Sequence, residues 1–130
     1  MSDAKRYTGG CACGAVHIEL VGEPLKVGLC HCGDCRKATG SAFLFYGDWA
    51  NGSYSVSGPT ATWEGRSFCP TCGSRLFHLG EDGIEINLGA LDDAPLGLVP
   101  TREGWICRRE PWQRAVDGAH QAERDPPREA

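Results

Sequence analysis

A chain of 130 residues, 41% of them hydrophobic, is long enough for one domain with a modest core and short for two. Its net charge of −4, from 13 basic and 17 acidic side chains, argues against a general nucleic-acid or anionic-membrane binder. No apolar run approaches the roughly 20 residues a helix needs to cross a bilayer. The opening Met1-Ser2-Asp3-Ala4-Lys5-Arg6 lacks a secretory apolar segment, so the expectation is a cytoplasmic protein, monomeric or homodimeric. In that reducing compartment, eight cysteines read as metal ligands rather than disulfides.

With 18 glycines, 8 prolines and almost no helix-length apolar periodicity, the chain should form short strands and many turns. Residues 1–8 read as a loose start. Over 15–21, Val16, Ile18 and Leu20 alternate onto one face, and Leu25, Val27 and Leu29 repeat the pattern; both are expected strands. Residues 33–39 are short and polar, enough for one helical turn. The aromatic-rich segment 42–49 reads as a strand. Segments 54–57 and 61–64 are expected to pair as a hairpin turned by Ser57-Gly58-Pro59. Segments 75–79 and 84–88 should form a second hairpin turned by Gly80-Glu81-Asp82-Gly83. Residues 92–100 read as loop and 104–108 as a last strand. A single zinc-binding domain is expected over 1–116, followed by a polar, disordered tail over 117–130.

The cysteines stand at 11, 13, 30, 32, 35, 69, 72 and 107, in the order C-x-C, C-H-C-x-x-C, C-x-x-C and one single cysteine. Short spacings let one turn aim two sulfurs at one ion, with Zn–S near 2.3 Å. Two four-cysteine sites need eight thiols, and only seven are clustered. Either Cys107 completes the second site or that site stays open. Cys107 lies in the apolar run Trp105-Ile106-Cys107-Arg108, which favours a buried core cysteine. The pair Cys69 and Cys72, with Pro70 and Gly73, has the form of a zinc knuckle, and Cys11 and Cys13 are its simplest partners. Cys30, Cys32 and Cys35 are then left to grip one ion together, as catalytic zinc is commonly held, with a position free. His31 alternates away from its neighbours in extended chain and makes a poor fourth ligand; His17 or His78 would have to come from elsewhere.

Three stretches carry a family resemblance. Gly9-Gly10-Cys11-Ala12-Cys13-Gly14-Ala15-Val16, Cys30-His31-Cys32-Gly33-Asp34-Cys35-Arg36-Lys37-Ala38-Thr39-Gly40-Ser41 and Phe68-Cys69-Pro70-Thr71-Cys72-Gly73 resemble the glutathione-dependent formaldehyde-activating enzymes, a family that includes centromere protein V-like proteins. The resemblance runs from about residue 8 to Trp112. It implies a mainly β, Mss4-like fold of several coiled antiparallel sheets with few short helical turns. It also implies two zinc ions per chain: a structural one on Cys11, Cys13, Cys69 and Cys72, and an open one on Cys30, Cys32 and Cys35. The implied activity is that of a carbon–sulfur lyase acting on a thiol adduct such as S-(hydroxymethyl)glutathione. After the late tryptophan the chain departs from the family pattern, with Asp117-Gly118-Ala119-His120 where members often carry an aspartate-glycine-leucine-proline run.

An open zinc can keep a small substrate thiol, such as that of glutathione, as its thiolate at neutral pH. Arg36 and Lys37, directly after Cys35, would offset the negative charge of a thiolate-rich site or hold a substrate carboxylate, unless they are simply solvated cations. Thr39 and Ser41 would donate hydrogen bonds to an anionic ligand, or else belong to a turn. Phe43, Phe45, Tyr46, Trp49 and Trp63 would line a pocket or, as aromatics in strands more often do, the core. The competing reading is a non-catalytic, zinc-stabilised binding module.

Overall fold

The computed structural model describes residues 4–127. It is mainly β and of the Mss4-like type. In chain order the strands are β1 (Arg6–Gly10), β2 (His17–Val21), β3 (Lys26–Cys30), β4 (Leu44–Ala50), β5 (Tyr54–Ser57), β6 (Ala61–Trp63), β7 (Arg66–Phe68), β8 (Arg75–Leu79), β9 (Gly83–Asn87), β10 (Arg102–Gly104) and β11 (His120–Gln121), with helix α1 (Gly33–Thr39) between β3 and β4. No described helix is long and apolar enough to cross a membrane. The chain divides into two compact units, each drawn from two separate stretches. One takes the described residues through Leu25 with Gly47–Gly97; the other takes Lys26–Tyr46 with the described residues from Leu98 onward. The interval 1–116, expected as one domain, therefore contributes to both.

In the first unit, β2 is the centre of a three-stranded antiparallel sheet, with β1 on one side and β5 on the other. Its pattern is strictly alternating: Ile18 and Leu20 are buried while His17, Glu19 and Val21 face outward, as a half-buried strand requires. Strand β1 lies in the segment expected to be loose. It has little apolar pattern of its own and is held by pairing, with Tyr7 opposite Leu20 and Gly9 opposite Ile18. Trp49 is the largest fully buried side chain of this unit. Its Nε1 donates to the Gly22 carbonyl at 2.9 Å and its ring meets the Tyr7 ring edge-on at 5.7 Å.

A run of antiparallel strands, β9-β8-β7-β6, completes the unit. The β8–β9 hairpin is the one expected. The hairpin expected between 54–57 and 61–64 does not form: β5 pairs with β2, and β6 pairs with β7. The competing turn is Glu64-Gly65, where both residues have positive φ, 50° and 78°. That is the backbone of the two-residue turn that matches strand twist, and it outweighs the Gly58-Pro59 signal.

In the second unit, β10 lies between β3 and β11 and is parallel to both, a departure from the all-antiparallel pairing expected. Parallel neighbours need long connections, which the wide separation of these segments supplies. The last strand expected over 104–108 ends at Gly104. Trp105 then takes a left-handed conformation, and Ile106–Arg108 form a 3-10 turn. The segment after Val116, expected to be disordered, is instead paired over its described part. His120 N–H donates to Thr101 O, Ala122 N–H to Glu103 O and Trp105 N–H to Arg124 O, and Trp105 Nε1 donates to Asp125 at 2.8 Å. Backbone pairing holds this polar stretch where apolar burial does not. Residues 128–130 lie outside the described residues.

Trp49 fills the first unit without polar strain, so its truncation should be costly. Trp49→Ala is expected to lower the unfolding free energy by about 3–5 kcal/mol, measured by urea titration of the metal-loaded protein.

Candidate functional site

Four thiols meet in the first unit. Cys11 follows β1, and a tight loop closes on it: Gly14 N–H donates to Cys11 O at 3.1 Å, and Cys11 N–H donates to Val16 O at 3.1 Å. Gly10 makes that return possible, because a Cβ there would stand 2.0 Å from the Val16 carbonyl oxygen. Cys69 follows β7 and opens the knuckle Cys69-Pro70-Thr71-Cys72-Gly73. Gly73, at φ +80°, donates to Cys69 O at 2.8 Å. The Ala12 amide donates to Ser74 Oγ at 2.9 Å and ties the two loops together.

The sulfurs of Cys11 and Cys13 are 3.5 Å apart and those of Cys13 and Cys69 3.7 Å, and all four lie within 4.8 Å of one another. Four sulfurs at Zn–S distances near 2.3 Å in a tetrahedron are separated by about 3.8 Å. The cluster fits a tetrahedral thiolate-bound ion, and the separations are far above a disulfide's roughly 2 Å. All the cysteines are free thiols. Proton affinity is split across the group. The Ser74 hydroxyl and amide pull Cys72 down to about 5. At Cys13 the Ala15 amide favours the thiolate, but the Cys11 sulfur, burial and the other thiols outweigh it and push the group up to about 11. Crowded thiols that cannot all ionise together are what a bound cation relieves.

The second cluster belongs to the other unit. Cys30 ends β3, Cys32 is the N-cap of α1, and Cys35 lies in the helix's first turn. The Cys32 sulfur accepts from the Cys35 amide at 3.3 Å, and Gly40 closes the helix in a left-handed conformation. The three sulfurs lie within 4.8 Å of one another. Among the described residues no fourth Cys, His, Asp or Glu atom joins them. Cys35 is buried against Leu44 and Tyr46, with Cys30 and Cys32 half-buried beside it.

His31, although between two of these cysteines, turns away from them. It is fully buried, and its Nε2 lies 2.8 Å from Oε1 of the fully buried Glu103. Its Nδ1 has no hydrogen-bond partner. The other Glu103 oxygen accepts from Val116 N–H at 2.7 Å and from Gln121 Nε2 at 2.9 Å. Burial would raise the Glu103 carboxyl, but the hydrogen bonds from Gln121, Val116 and His31, with the charge of Arg109, hold it below the ordinary value. Glu103 is thus an ionised acceptor at neutral pH. Nothing in Arg102-Glu103-Gly104 marks it in the sequence; only the pairing of β10 beside β3 brings it under the cysteine loop.

The remaining candidates separate. Arg36 Nη2 pairs with Glu110 at 2.6 Å and Nη1 donates to Arg108 O at 3.1 Å, so its guanidinium is already engaged. Thr39 Oγ1 donates back into its own helix, to Cys35 O at 2.8 Å. Lys37 and Ser41, with Arg36, Gly40, Ala42, Glu110 and Trp112, line a shallow open depression of about 530 Å³. Nothing in the sequence marks Glu110 or Trp112 as site residues. Cys107, expected in the core, is exposed on the 3-10 turn, whose left-handed start at Trp105 breaks the strand that would have buried it. Tyr46 and Trp49 are core, and Trp63 is 67% exposed.

Residues 6–108 match the profile described as glutathione-dependent formaldehyde-activating enzyme. The chain belongs to that family. It is 29% identical over 82 residues to an uncharacterized lyase of Schizosaccharomyces pombe, a match covering 59% of this chain and 60% of the relative's length. A crystal structure of a Rhodobacter sphaeroides protein superposes with a TM-score of 0.53 at 24% identity, over 72% of this chain and 97% of that one, and shows the same fold. Family membership agrees with two thiol clusters suited to metal ions.

The four-cysteine cluster joins loops far apart in sequence, so removing one ligand should cost much of the stability of its unit. Cys72→Ser is expected to lose one metal equivalent by elemental analysis and to lose several kcal/mol of stability, on the order of a small domain's whole margin.

Proposed function

We propose that this protein is a zinc-dependent carbon–sulfur lyase-like enzyme acting on a small thiol adduct such as S-(hydroxymethyl)glutathione. The observation that carries this reading is the convergence of Cys30, Cys32 and Cys35 with no fourth side-chain ligand among the described residues. Three protein ligands with a position left free are the arrangement of catalytic zinc, whereas Cys11, Cys13, Cys69 and Cys72 make the closed set of a structural site. The donor chemistry supports zinc in both, since thiolate sulfur at tetrahedral spacing favours that ion over hard cations. Family membership and the lyase relative support the reaction class. Eight free thiols suit a reducing cytoplasm, where glutathione is the abundant small thiol.

The reaction adds a thiol S–H across the formaldehyde carbonyl. One C–S bond forms, the C=O π bond opens, and the thiol proton ends on the new hydroxyl; the lyase direction reverses each change. Zinc at Cys30, Cys32 and Cys35 would supply the Lewis acidity that keeps the substrate sulfur as thiolate near neutral pH. Leu44 and Tyr46 pack against the buried Cys35, while Cys30 and Cys32 stay partly exposed. The Lys37 ammonium and Ser41 hydroxyl, which line the depression on the helix that carries Cys35 and just beyond it, would meet a substrate carboxylate. Arg36 serves differently from the expectation: paired with Glu110, it fixes the helix against the 108–110 segment and shapes that depression.

Purified zinc-loaded protein should accelerate exchange between glutathione, formaldehyde and their adduct, followed by NMR exchange spectroscopy. Cys32→Ser should abolish the acceleration while the four-cysteine cluster keeps its metal. An uncatalysed rate with both clusters loaded would leave the non-catalytic binding module as the reading. Lys37→Glu should raise KM about three- to tenfold with little change in kcat, the scale of one exposed charge contact reversed.

A further inference from the structure

The buried Glu103 carboxylate is connected on two sides. Oε1 faces His31 Nε2 at 2.8 Å, with Arg109 Nη1 at 3.6 Å; Oε2 accepts from Val116 N–H and Gln121 Nε2. His31 is flanked directly by Cys30 and Cys32, so wherever its ring is fixed, the backbone carrying those two thiols is fixed as well. The ring's position is not set by its own hydrogen-bonding needs. An ionised carboxylate accepts only, so Nε2 carries a proton toward it, and Nδ1 is left buried without a partner. The bond to Glu103 outweighs that unmet need. The backbone acts in the same direction, with His31 N–H donating to Gly104 O at 3.1 Å and Cys30 in register with Gly104. Gln121 is in register with Glu103 on the other side, and its Oε1 also accepts from Arg109. The 116–121 segment and the cysteine turn therefore meet on opposite oxygens of one side chain.

We propose that Glu103 is the positioning residue of the three-cysteine site, fixing the Cys30–Cys32 turn through His31 and itself held in place by Val116 and Gln121. The proposal rests on the reading of Cys30, Cys32 and Cys35 as a metal site, and extends it to residues that never touch the ion. It gives the 116–121 segment a function: without it, the carboxylate loses two donors and the freedom of the turn returns.

Glu103→Gln tests this at nearly constant shape. The amide has one acceptor oxygen where the carboxylate has two, so either one side of the arrangement breaks or the His31 proton moves to the buried, partnerless Nδ1, and the charged hydrogen bond is lost in both cases. The probe is Co²⁺ alone, removed from the full-length protein by chelator competition. The occupied cluster is assigned by which cysteines resist alkylation in mass spectrometry. The expected result is a 10- to 100-fold loss of affinity at Cys30, Cys32 and Cys35, the usual effect of losing an outer hydrogen-bond partner, with Cys11, Cys13, Cys69 and Cys72 unchanged. Amide exchange over Cys32–Arg36 should quicken, while that of the Cys69–Gly73 knuckle should not. Gln121→Ala, which touches neither cluster, should weaken the same site several-fold, and it decides the matter should Glu103→Gln not fold. Unchanged affinity and exchange in the folded variants, or equal loss at both clusters, would overturn the proposal. A wild-type chain that takes up no Co²⁺ at the three cysteines would sink the lyase reading, and amide exchange at the turn would still decide the role of Glu103.

Discussion

Cys13 and Cys69 are 56 residues apart in the chain, yet their sulfurs lie 3.7 Å from each other. Convergence of this kind is the demand around which the first unit is built. A chain of this length buries a modest core, and ligand–metal bonds add stability that apolar burial alone supplies poorly at such size. The local chain is shaped to permit it. Gly10 lets the first loop fold back onto Val16, Gly73 turns the knuckle, and Ser74 stitches the two loops through the Ala12 amide. The short antiparallel strands behind these loops are the scaffold that holds the turns in place.

The two clusters use the same element for different ends. Where loops contribute two thiols each, four sulfurs converge as a complete tetrahedral ligand set would. Where one strand end and one helix turn contribute three, no fourth side-chain ligand joins them among the described residues. The protein then needs something other than a fourth ligand to keep three thiols aligned. The helix supplies part of this, through the Cys32 cap on the Cys35 amide. The buried His31–Glu103 pair supplies the rest. A buried ionic group of this kind is costly unless it is well hydrogen-bonded, and Glu103 is, by His31 on one oxygen and by Val116 and Gln121 of the 116–121 segment on the other.

Local patterns in the sequence predicted local structure well. The alternation of Val16, Ile18 and Leu20, the β8–β9 hairpin and the single helix at 33–39 are all written in neighbouring residues, and so are the short C-x-C, C-H-C-x-x-C and C-x-x-C spacings that mark the thiols as ligands. What the sequence hid was pairing across distance. Strand β1 has no pattern of its own and exists because β2 offers an edge. The β5 strand chose β2 over its sequence neighbour once Glu64-Gly65 turned β6 onto β7. Polar composition made 117–130 look unable to pack, but its described part is held by backbone pairing together with the side chains of Gln121 and Asp125. Glu103 was invisible for the same reason: a single acid between Arg102 and Gly104 acquires meaning only when β10 lies beside β3. The motif supplied the three thiols of the site but not the residues that orient them.

The parallel pairing of β3 with β10 has a consequence for how the protein is made. Val27 and Thr101, which hydrogen-bond across that pairing, are 74 residues apart. During synthesis from the N-terminus, the three thiols are therefore exposed long before the strand and carboxylate that align them exist. The first unit can close when residue 97 has emerged, but the second waits for nearly the whole chain. Contacts of such long range form slowly, since their closure entropy is met before any contact repays it. Until then Cys30, Cys32 and Cys35 belong to a flexible chain with no preferred geometry for an ion. The order of synthesis thus separates the two clusters in time, the four-cysteine one becoming available first and the three-cysteine one only as the protein is completed.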